Sequence, residues 1–459
     1  MSKSIRQKKF IELRREFPTF SYEKYDYLLT ESGLEVRYTF SISERFHFHH
    51  TLFFPRKSWF LPDENILPHL PNILFQIGMI ELISYWKLTC SPQLIIKPHR
   101  LLPEQVSWWK KLYFNGLGEF IYLNSLETVM DDFMLFEVAS DDLLPLTNPG
   151  VSPSALIPVG GGKDSVVTLE ILRHHISCLP FILNPRGASL ETIQASGFRR
   201  EGLVEAIRTL DPLLIKLNGE GFLNGHVPFS AVLAFTGVLA AILSGRQYIA
   251  LSNESSANEA TVENTTINHQ YSKSVEFELD FRSYLAKYIT PGINYFSFLR
   301  PLSEIQIARL FAKYPAHHAV FRSCNAGSKT DSWCGKCAKC LFTFIILSPF
   351  FPAAKLVTIF GSNLLDDVEL KPLFDQLIGT VPEKPFDCVG TMEEVNLALG
   401  KVIRQSNAGR LPALLSYYSS LPLFRRFSEE KFGEALSSFN QENFLPPVFE
   451  HQLRSVLYA

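Results

Sequence analysis

A glycine-rich run at residues 159–165, VGGGKDS, constrains the fold more than any other feature of the sequence. It follows a short apolar run at residues 155–159 and precedes a stretch whose apolar residues have helical spacing. Consecutive glycines let the backbone turn tightly and approach an anion closely, and the first turn of a helix presents unpaired N–H groups. The sequence therefore predicts a phosphate-binding loop between a strand and a helix. Its expected residues are Gly160, Gly161, Gly162, Lys163, Asp164 and Ser165.

The side chains of this loop suit a phosphate ligand. Lys163 adds positive charge, Asp164 can hold Mg²⁺ or cap the helix, and Ser165 can donate its hydroxyl to a phosphate oxygen. A Walker A motif is excluded, because Ile157 and Asp164 stand where its first Gly and its Ser or Thr would be. The dinucleotide-binding fingerprint is excluded because Ser165 replaces its third glycine. A glycine-rich turn with a capping Asp is the alternative to a phosphate site.

Short apolar runs alternate with helical patterns after residue 150. The predicted strands are residues 155–159, 179–184, 213–217 and 247–251. Helices are expected between them, including one through residues 201–210 and a long apolar one at 228–245. This alternation predicts an α/β fold with a doubly wound parallel sheet.

The length of 459 residues suggests two or three folding units at roughly 100–200 residues each. A Pro/Gly/Ser stretch at residues 148–154 is the best linker candidate. Before it, the runs at 34–42 and 46–54 predict a hairpin, and those at 72–87 and 103–114 predict helices in an α+β unit. After about residue 350 the pattern is mainly helical. The predicted domains are residues 1–150, 151–350 and 351–459.

Charge and hydropathy limit the function classes. The chain has 44 Lys and Arg against 46 Asp and Glu, a net charge of −2, which disfavours a nucleic-acid binder. The uncharged segment 228–245 is near the lower length limit for a membrane span, but its small and polar residues favour a helix buried against the sheet. The basic N-terminal stretch is followed by no apolar run, so we expect a cytoplasmic protein without a signal peptide or membrane insertion.

Four of the seven cysteines crowd into the seventeen residues 324–340. They are Cys324, Cys334, Cys337 and Cys340. Two Cys-x₂-Cys spacings let thiolates meet one tetrahedral ion, so a Cys₄ structural zinc site is predicted. An iron–sulfur cluster is the metal alternative, and reduced thiols in a helical turn are the alternative without metal.

A polar segment at residues 252–278 follows a predicted parallel strand. Ligands bind at the carboxyl edge of such strands. The candidate ligand-binding residues of this segment are Asn253, Glu254, Asn258, Asn268, His269, Gln270, Tyr271 and Lys273. A solvated surface loop is the alternative for any one of them.

The loop GGGKDS resembles the S-G-G-x-D-S pyrophosphate loop of the N-type ATP pyrophosphatases, which cleave ATP between its α and β phosphates. Gly160 stands where that loop has its opening Ser, so one phosphate-binding hydroxyl is absent. The order of loop and cysteine cluster resembles the deazaguanine nitrile synthases, which keep zinc in that place. In them a polar turn also precedes the third helix, which matches residues 224–230 and makes His226 and Ser230 further candidates.

Four runs together resemble the bacterial UDP-N-acetylmuramoyl-L-alanyl-L-glutamate epimerases over most of the chain. They are GGGKDS, SNESSANEATV with NHQYSKS, WCGKCAKC, and KPFDCVGTMEEV at residues 384–395. The resemblance implies ATP-dependent inversion of the terminal L-Glu of UDP-MurNAc-L-Ala-L-Glu through an acyl adenylate, with release of AMP and pyrophosphate. It also implies ATP, Mg²⁺ and structural Zn²⁺, and a functional link to a muramoyl-L-alanine L-glutamate ligase in peptidoglycan precursor synthesis.

The resemblance also suggests roles for single residues. The loop glycines would cradle the β and γ phosphates, Asp164 would position Mg²⁺, and Lys163 and Ser165 would contact the departing pyrophosphate. His269 and Lys273 are the first candidates for the base, followed by His226. Outside the cluster, Cys388 is the only cysteine in a notable context.

Two other functions share these motifs. One is an N-type pyrophosphatase of different chemistry, such as a tRNA thiolase or an amide- or nitrile-forming ligase. The other is a non-catalytic nucleotide-binding protein.

Overall fold

The structure is a computed structural model that describes residues 3–258, 268–406 and 409–458. The strands are β1 Thr19–Leu29, β2 Gly33–Ile42, β3 Phe46–Pro55, β4 Gln93–Ile96, β5 Leu135–Val138, β6 Ser152–Pro158, β7 Cys178–Leu183, β8 Val204–Thr209, β9 Arg246–Leu251 and β10 Asn294–Ser297. The helices of the first half are α1 Lys3–Glu16, α2 Asp63–Ile66, α3 Leu70–Trp86, α4 Pro103–Gly116, α5 Gly118–Leu123, α6 Met130–Phe133, α7 Lys163–Leu172, α8 Gly187–Ala195, α9 Pro212–Gly219 and α10 Phe229–Ser244. Those of the second half are α11 Val275–Tyr284, α12 Glu304–Ala312, α13 Ala338–Leu347, α14 Ala353–Phe360, α15 Lys371–Ile378, α16 Met392–Gln405, α17 Ala413–Ser420, α18 Glu429–Ser437 and α19 Pro447–Leu457.

One mixed sheet contains all ten strands, in the order β10-β9-β6-β7-β8-β3-β2-β1-β4-β5. The strands from β10 to β8 pair in parallel. The strands from β8 to β1 pair antiparallel, and β4 and β5 extend the sheet in parallel. The prediction of an α/β protein is confirmed, but the sheet is larger and more mixed than predicted because β3 pairs with β8 and so joins the early strands to the later ones. The division into three domains stays a prediction.

The parallel part of the sheet reverses its direction of growth at β6. The chain adds β7 and β8 on one side of β6, and then β9 and β10 on the other. Ligands of open α/β sheets bind beyond the carboxyl ends of the strands at such a reversal. β6 ends at Pro158 and β9 ends at Leu251, so the glycine loop and the polar segment begin at the same edge.

Two hydrophobic cores cover the faces of this part of the sheet. Alternate residues of a strand point to opposite faces. Leu156 of β6 therefore joins the core that contains residues of α3 and α10, whereas Ala155 and Ile157 join the core that contains residues of α7, α12 and α13.

Two predicted elements are wrong in type. Residues 201–210, expected to be helical, contain strand β8, and the predicted strand 213–217 lies in helix α9. The apolar residues of the first segment have helical spacing, but pairing with β7 and β3 overrides that local preference. Asp211 accepts a hydrogen bond from the backbone N–H of Leu213 at 2.8 Å and a proline follows it, which is the start signal of a helix.

The hairpin and the apolar helix agree with their predictions. β2 and β3 pair antiparallel around a turn at residues 43–45. The predicted helix at 228–245 is α10, which is buried along most of its length and ends at Gly245 in the left-handed conformation, φ 65°. Among the described residues one helical stretch, Asp63–Trp86, is long and apolar enough to cross a membrane, and 78% of its most apolar window is buried as in a core helix.

A buried ion pair links α3 to the middle of the sheet. Arg208 of β8 donates hydrogen bonds to both carboxylate oxygens of Glu81 in α3, including Nε to Oε1 at 2.7 Å and Nη2 to Oε2 at 2.5 Å. His50 of β3 lies 3.4 Å from the same carboxylate. Burial raises the pKa of Glu81, but Arg208 and His50 outweigh it and lower that pKa to about 2. Glu81 therefore stays ionised inside the core.

Glu81→Gln should lower the free energy of unfolding by about 3–5 kcal/mol at pH 7, because it leaves the charge of Arg208 buried without a partner. Urea unfolding measures this change. The pKa of Glu81 is depressed in the folded state from 4.5 to about 2, so its contribution is complete above pH 4.5 and is lost as the pH falls toward 2. Glu12→Gln, at an exposed pair with Lys8, is the control that should leave stability unchanged. Equal stability of Glu81→Gln and the control would contradict the assignment.

Candidate active site

The glycine loop connects β6 to α7 at the reversal point of the sheet. Gly161 has φ +88°, and a Cβ there would lie 2.9 Å from the carbonyl carbon of Ala188, so only glycine fits without strain. A Cβ on Gly160 would meet no atom within 4 Å, so the loop backbone is open there. Gly162 is the N-cap residue of α7. The unpaired N–H groups at the start of α7 therefore lie beside an open space.

A cavity of about 310 Å³ lies at this loop. Its polar lining comes from Gly160, Gly162, Asp164, Ser165, Arg186, Ser230, Ser252, Asn253, Glu254, Lys273, Arg322, Ser323, Asn325, Asp331 and Lys339. Four of these residues are cationic, Arg186, Lys273, Arg322 and Lys339, and three are acidic. A cavity with a helix N-terminus, several cations and a few carboxylates suits a polyphosphate bound with a divalent ion.

Lys163 lies inside the protein, where it is 4% exposed. Its ammonium donates hydrogen bonds to Asp164 and Glu304. Burial lowers the pKa of Lys163, but these two carboxylates outweigh it and raise that pKa above its ordinary value. Lys163 is therefore a buried cation that fixes Asp164 at the rim of the cavity.

A second group of ionisable side chains adjoins the cavity through Lys273. The ammonium of Lys273, which lines the cavity, donates a hydrogen bond to Cys388 Sγ at 3.1 Å. His269 hydrogen-bonds the same thiol, and its Nδ1 lies 2.5 Å from Oε2 of Glu119 in α5. His226 Nδ1 lies 3.7 Å from that carboxylate oxygen. We call Glu119, His226, His269, Lys273 and Cys388 the thiol cluster.

The charges of the thiol cluster follow from these contacts. Burial raises the pKa of Cys388, but Lys273, Lys339 and His269 outweigh it and lower that pKa to about 6. Burial lowers the pKa of His269, but Cys388 and Glu119 raise it to about 9. Burial and the neighbouring His269 lower the pKa of His226 to about 4. At neutral pH Cys388 is therefore a thiolate, His269 is protonated and His226 is neutral.

Glu119, His226 and His269 also have ligand-type atoms within 4.8 Å of one another. His269 already makes hydrogen bonds to Glu119 and Cys388. We therefore interpret these three residues as a network of hydrogen bonds and charge contacts.

The remaining predicted residues divide between the cavity and its surroundings. Ser230, Asn253 and Glu254 line the cavity. Gln270 is buried and accepts a hydrogen bond from Lys273 at 3.4 Å, and Asn268 accepts one from the backbone N–H of Gln270 at 2.7 Å. Tyr271 also lies outside the lining, with its ring packed against Phe277, and the side chain of Asn258 lies outside the described residues.

Sequence reasoning missed Glu119, Arg186, Glu304, Arg322 and Lys339. Lys339 lies within the cysteine cluster, where it was expected only to offset the charge of the zinc site, and the other four residues carry no local motif. Glu119, for example, lies in the first turn of the short helix α5. Only the pairing of β3 with β8, which joins the early strands to the parallel ones, indicates that α5 lies near the loop.

The four clustered cysteines converge on one point. The Sγ–Sγ distances are 3.8 Å for Cys324 and Cys337, 3.7 Å for Cys334 and Cys340, and 3.5 Å for Cys337 and Cys340. Four thiolates around zinc, with Zn–S bonds of about 2.3 Å, lie about 3.8 Å apart in a tetrahedron. Gly335, with φ +69°, makes the turn between two of the cysteines. The four thiols therefore fit a zinc ion.

Comparison with known proteins gives matches over most of the chain. The family model of the MurL N-terminal domain matches residues 12–298, and that of the MurL C-terminal domain matches residues 320–425. A UDP-N-acetyl-alpha-D-muramoyl-L-alanyl-L-glutamate epimerase of Salinispora tropica is 35% identical over 88% of this chain and 88% of its own length. Proteins of the same name from a Micromonospora species and Xanthomonas oryzae are 33% and 38% identical, over 88% and 70% of this chain and 90% and 72% of their own lengths. No solved structure matches at a significant level.

Purified protein should contain about one zinc ion per chain, as a Cys₄ site requires. Cys334→Ser should lose the metal and unfold at a lower temperature, because three thiolates hold zinc less tightly than four. Cys178→Ser, at a cysteine of β7 outside the cluster, is the matched control that should keep it. Elemental analysis and thermal unfolding measure both effects. Iron in place of zinc, or a stable protein without metal, would contradict the zinc assignment.

Proposed function

Because this chain belongs to the MurL family of UDP-N-acetyl-alpha-D-muramoyl-L-alanyl-L-glutamate epimerases, we propose that it inverts the terminal L-Glu of UDP-MurNAc-L-Ala-L-Glu in an ATP-dependent reaction. The α-carboxylate of that glutamate attacks the α-phosphorus of ATP, and pyrophosphate leaves. The proton on Cα is removed and a proton is added on the opposite face. Hydrolysis of the acyl adenylate then gives the D-Glu product and AMP.

Activation of the glutamate α-carboxylate as an acyl adenylate lowers the electrostatic cost of removing the Cα proton. Removing the Cα proton beside a free carboxylate would place a second negative charge on the same group. An acyl adenylate has no charge on its acyl group, so the electron pair left by the proton can move onto the carbonyl oxygen as an enolate. A side-chain base of ordinary strength is then sufficient.

The single observation that carries this proposal is the position of Lys273. This residue lines the cavity at the glycine loop, and its ammonium donates a hydrogen bond to Cys388 of the thiol cluster. A site for a polyphosphate and a group of proton-transfer residues therefore adjoin each other. An enzyme that activates a carboxylate with ATP and then moves the proton on the neighbouring carbon needs this adjacency.

In this proposal the cavity holds the triphosphate of ATP. The open space at Gly160 lets a phosphate group approach the backbone N–H groups at the start of α7. The cations Arg186 and Arg322 also line the cavity and can pair with phosphate oxygens. Asp164 lines the cavity and would hold Mg²⁺, which would neutralise phosphate charge. Lys163 positions Asp164 from inside the protein. Ser165 is proposed to contact the departing pyrophosphate.

The proposal extends to the fold and to the origin of the substrate. Five parallel strands, added first on one side of β6 and then on the other, support an N-type ATP pyrophosphatase domain, as does the GGGKDS loop that follows β6. The substrate carries L-Glu on a muramoyl alanine, so a ligase that adds L-Glu must act before this enzyme.

Oxygen labelling tests the acyl adenylate. With ¹⁸O in both oxygens of the α-carboxylate, one labelled oxygen should appear in AMP and none in pyrophosphate, because that oxygen bridges the acyl carbon and the α-phosphorus before hydrolysis. Mass spectrometry of AMP, pyrophosphate and the product measures the label, and chiral analysis identifies D-Glu. Formation of D-Glu with ADP in place of AMP would contradict the mechanism, and unlabelled AMP would contradict hydrolysis at the acyl carbon.

Asp164→Asn should reduce substrate-dependent AMP formation at least a hundredfold, because it removes the carboxylate proposed to hold Mg²⁺. The fold should persist, since the asparagine has the same shape. Asp141→Asn, at an exposed aspartate away from the cavity, is the matched control that should retain full activity. Equal AMP formation by the two variants would remove Asp164 from the mechanism.

A further inference from the structure

Cys388 lies in a loop that the protein holds firmly in place. The loop connects α15 to α16, and Lys384 donates a hydrogen bond to the carbonyl oxygen of Gly390 at 3.0 Å. Asn325 donates to Asp387, the residue before the cysteine, at 2.6 Å. The position of the Cys388 thiol is therefore fixed on both sides.

The neighbours of Cys388 carry positive charge. Lys273 approaches its sulfur from a short 3₁₀ helix, His269 from the loop before that helix, and Lys339 acts on it from α13. Together they lower the pKa of Cys388 to about 6, although desolvation by itself would raise that pKa. Among the described side chains of the thiol cluster, Cys388 is the negatively charged one that contacts Lys273, and Lys273 lines the cavity.

The two bases expected first from the sequence hold protons in this arrangement. Lys273 donates its hydrogen to Cys388, and its pKa is raised by that thiolate and by Glu254, against the effect of burial. His269 is held protonated between Cys388 and Glu119. A protonated group cannot accept the Cα proton, so both residues are better suited to position the thiolate than to act as the base.

The other six cysteines differ from Cys388 in their surroundings. Four form the candidate zinc site. Burial raises the pKa of Cys178 to about 11 and raises that of Cys90 as well. Of the three cysteines outside the candidate zinc site, Cys388 is the one whose surroundings lower the thiol pKa.

We propose that the Cys388 thiolate is the base that removes the Cα proton of the activated glutamate, with Lys273 and His269 as positioning residues. This inference rests on the proposed function. The Cα–H bond breaks, the S–H bond forms, and the electron pair of the C–H bond moves onto the acyl oxygen as an enolate. Water supplies the proton on the opposite face, and the Cys388 thiol then returns its proton to water.

Cys388→Ala should separate activation from proton transfer. With UDP-MurNAc-L-Ala-L-Glu, ATP and Mg²⁺ in D₂O, deuterium incorporation at Cα should fall about 10²- to 10⁴-fold, the range of a lost general base. Release of pyrophosphate in the first turnover should stay within a few-fold of wild type. Cys178→Ala is the matched control for loss of a cysteine, and Cys388→Ser is a second variant that keeps the size of the side chain.

The outcomes of this experiment distinguish failure of the proposed function from failure of the role assigned to Cys388. Wild-type protein that forms neither D-Glu nor pyrophosphate contradicts the proposed function itself. Wild-type protein that epimerises, with Cys388→Ala exchanging Cα hydrogen at the same rate, contradicts only the role of Cys388. A covalent thioester adduct on Cys388, seen by intact mass after acid quenching, would also contradict the role as a base and make the thiolate a nucleophile.

Alkylation by iodoacetamide provides a readout independent of turnover. The rate at Cys388, followed by peptide mass mapping, should rise with a midpoint near pH 6 and fall when substrate and ATP are bound. Lys273→Met should move the midpoint upward by at least one pH unit, whereas Lys216→Met, at an exposed lysine of α9, should not. A midpoint near 9 in wild-type protein would overturn the proposal.

Discussion

The buried contact of Lys163 with Glu304 is the interaction on which the geometry of the site depends. Lys163 begins α7 at the glycine loop and Glu304 begins α12, so the pair joins the two helix starts inside the protein. The backbone N–H of Glu304 donates to Glu394 at 2.6 Å, and Glu394 closes the capping box with Thr391 at the start of α16. Because α16 follows the Cys388 loop directly, one chain of polar contacts fixes the glycine loop and the thiol relative to each other.

The sheet explains why residues so distant in sequence meet. Parallel strands bring their carboxyl ends to one edge, and the reversal at β6 opens a crevice there. The antiparallel strands β1 to β3 extend the same sheet, so the early helices pack beside the parallel part and α5 supplies Glu119 to His269. The helical region after α13 supplies the Cys388 loop. The site therefore draws on all three regions of the chain, and no one region contains the whole thiol cluster.

Local sequence patterns predicted the parts of the structure that depend on local chemistry. The glycine run required a tight turn before a helix, and Gly161 has the positive φ that such a turn needs. The Cys-x₂-Cys spacings anticipated the convergence of four thiols. The helix predicted at residues 201–210 is wrong, because β8 pairs with β7 on one side and with β3 on the other and this pairing outweighs the helical spacing of its apolar residues. No local sequence pattern encodes such pairing. Glu119 and Glu304 could not be identified for the same reason, since their roles arise only from contacts across the fold.

The central claim is that the glycine loop and the thiol cluster form one active site, in which ATP activation precedes proton transfer. Its most direct test is deuterium incorporation at Cα of UDP-MurNAc-L-Ala-L-Glu in D₂O, with either ATP or α,β-methylene ATP. The account predicts incorporation with ATP and none above background with the analogue, because the analogue cannot release pyrophosphate and form the acyl adenylate. Equal incorporation with both nucleotides, or incorporation without any nucleotide, would contradict it.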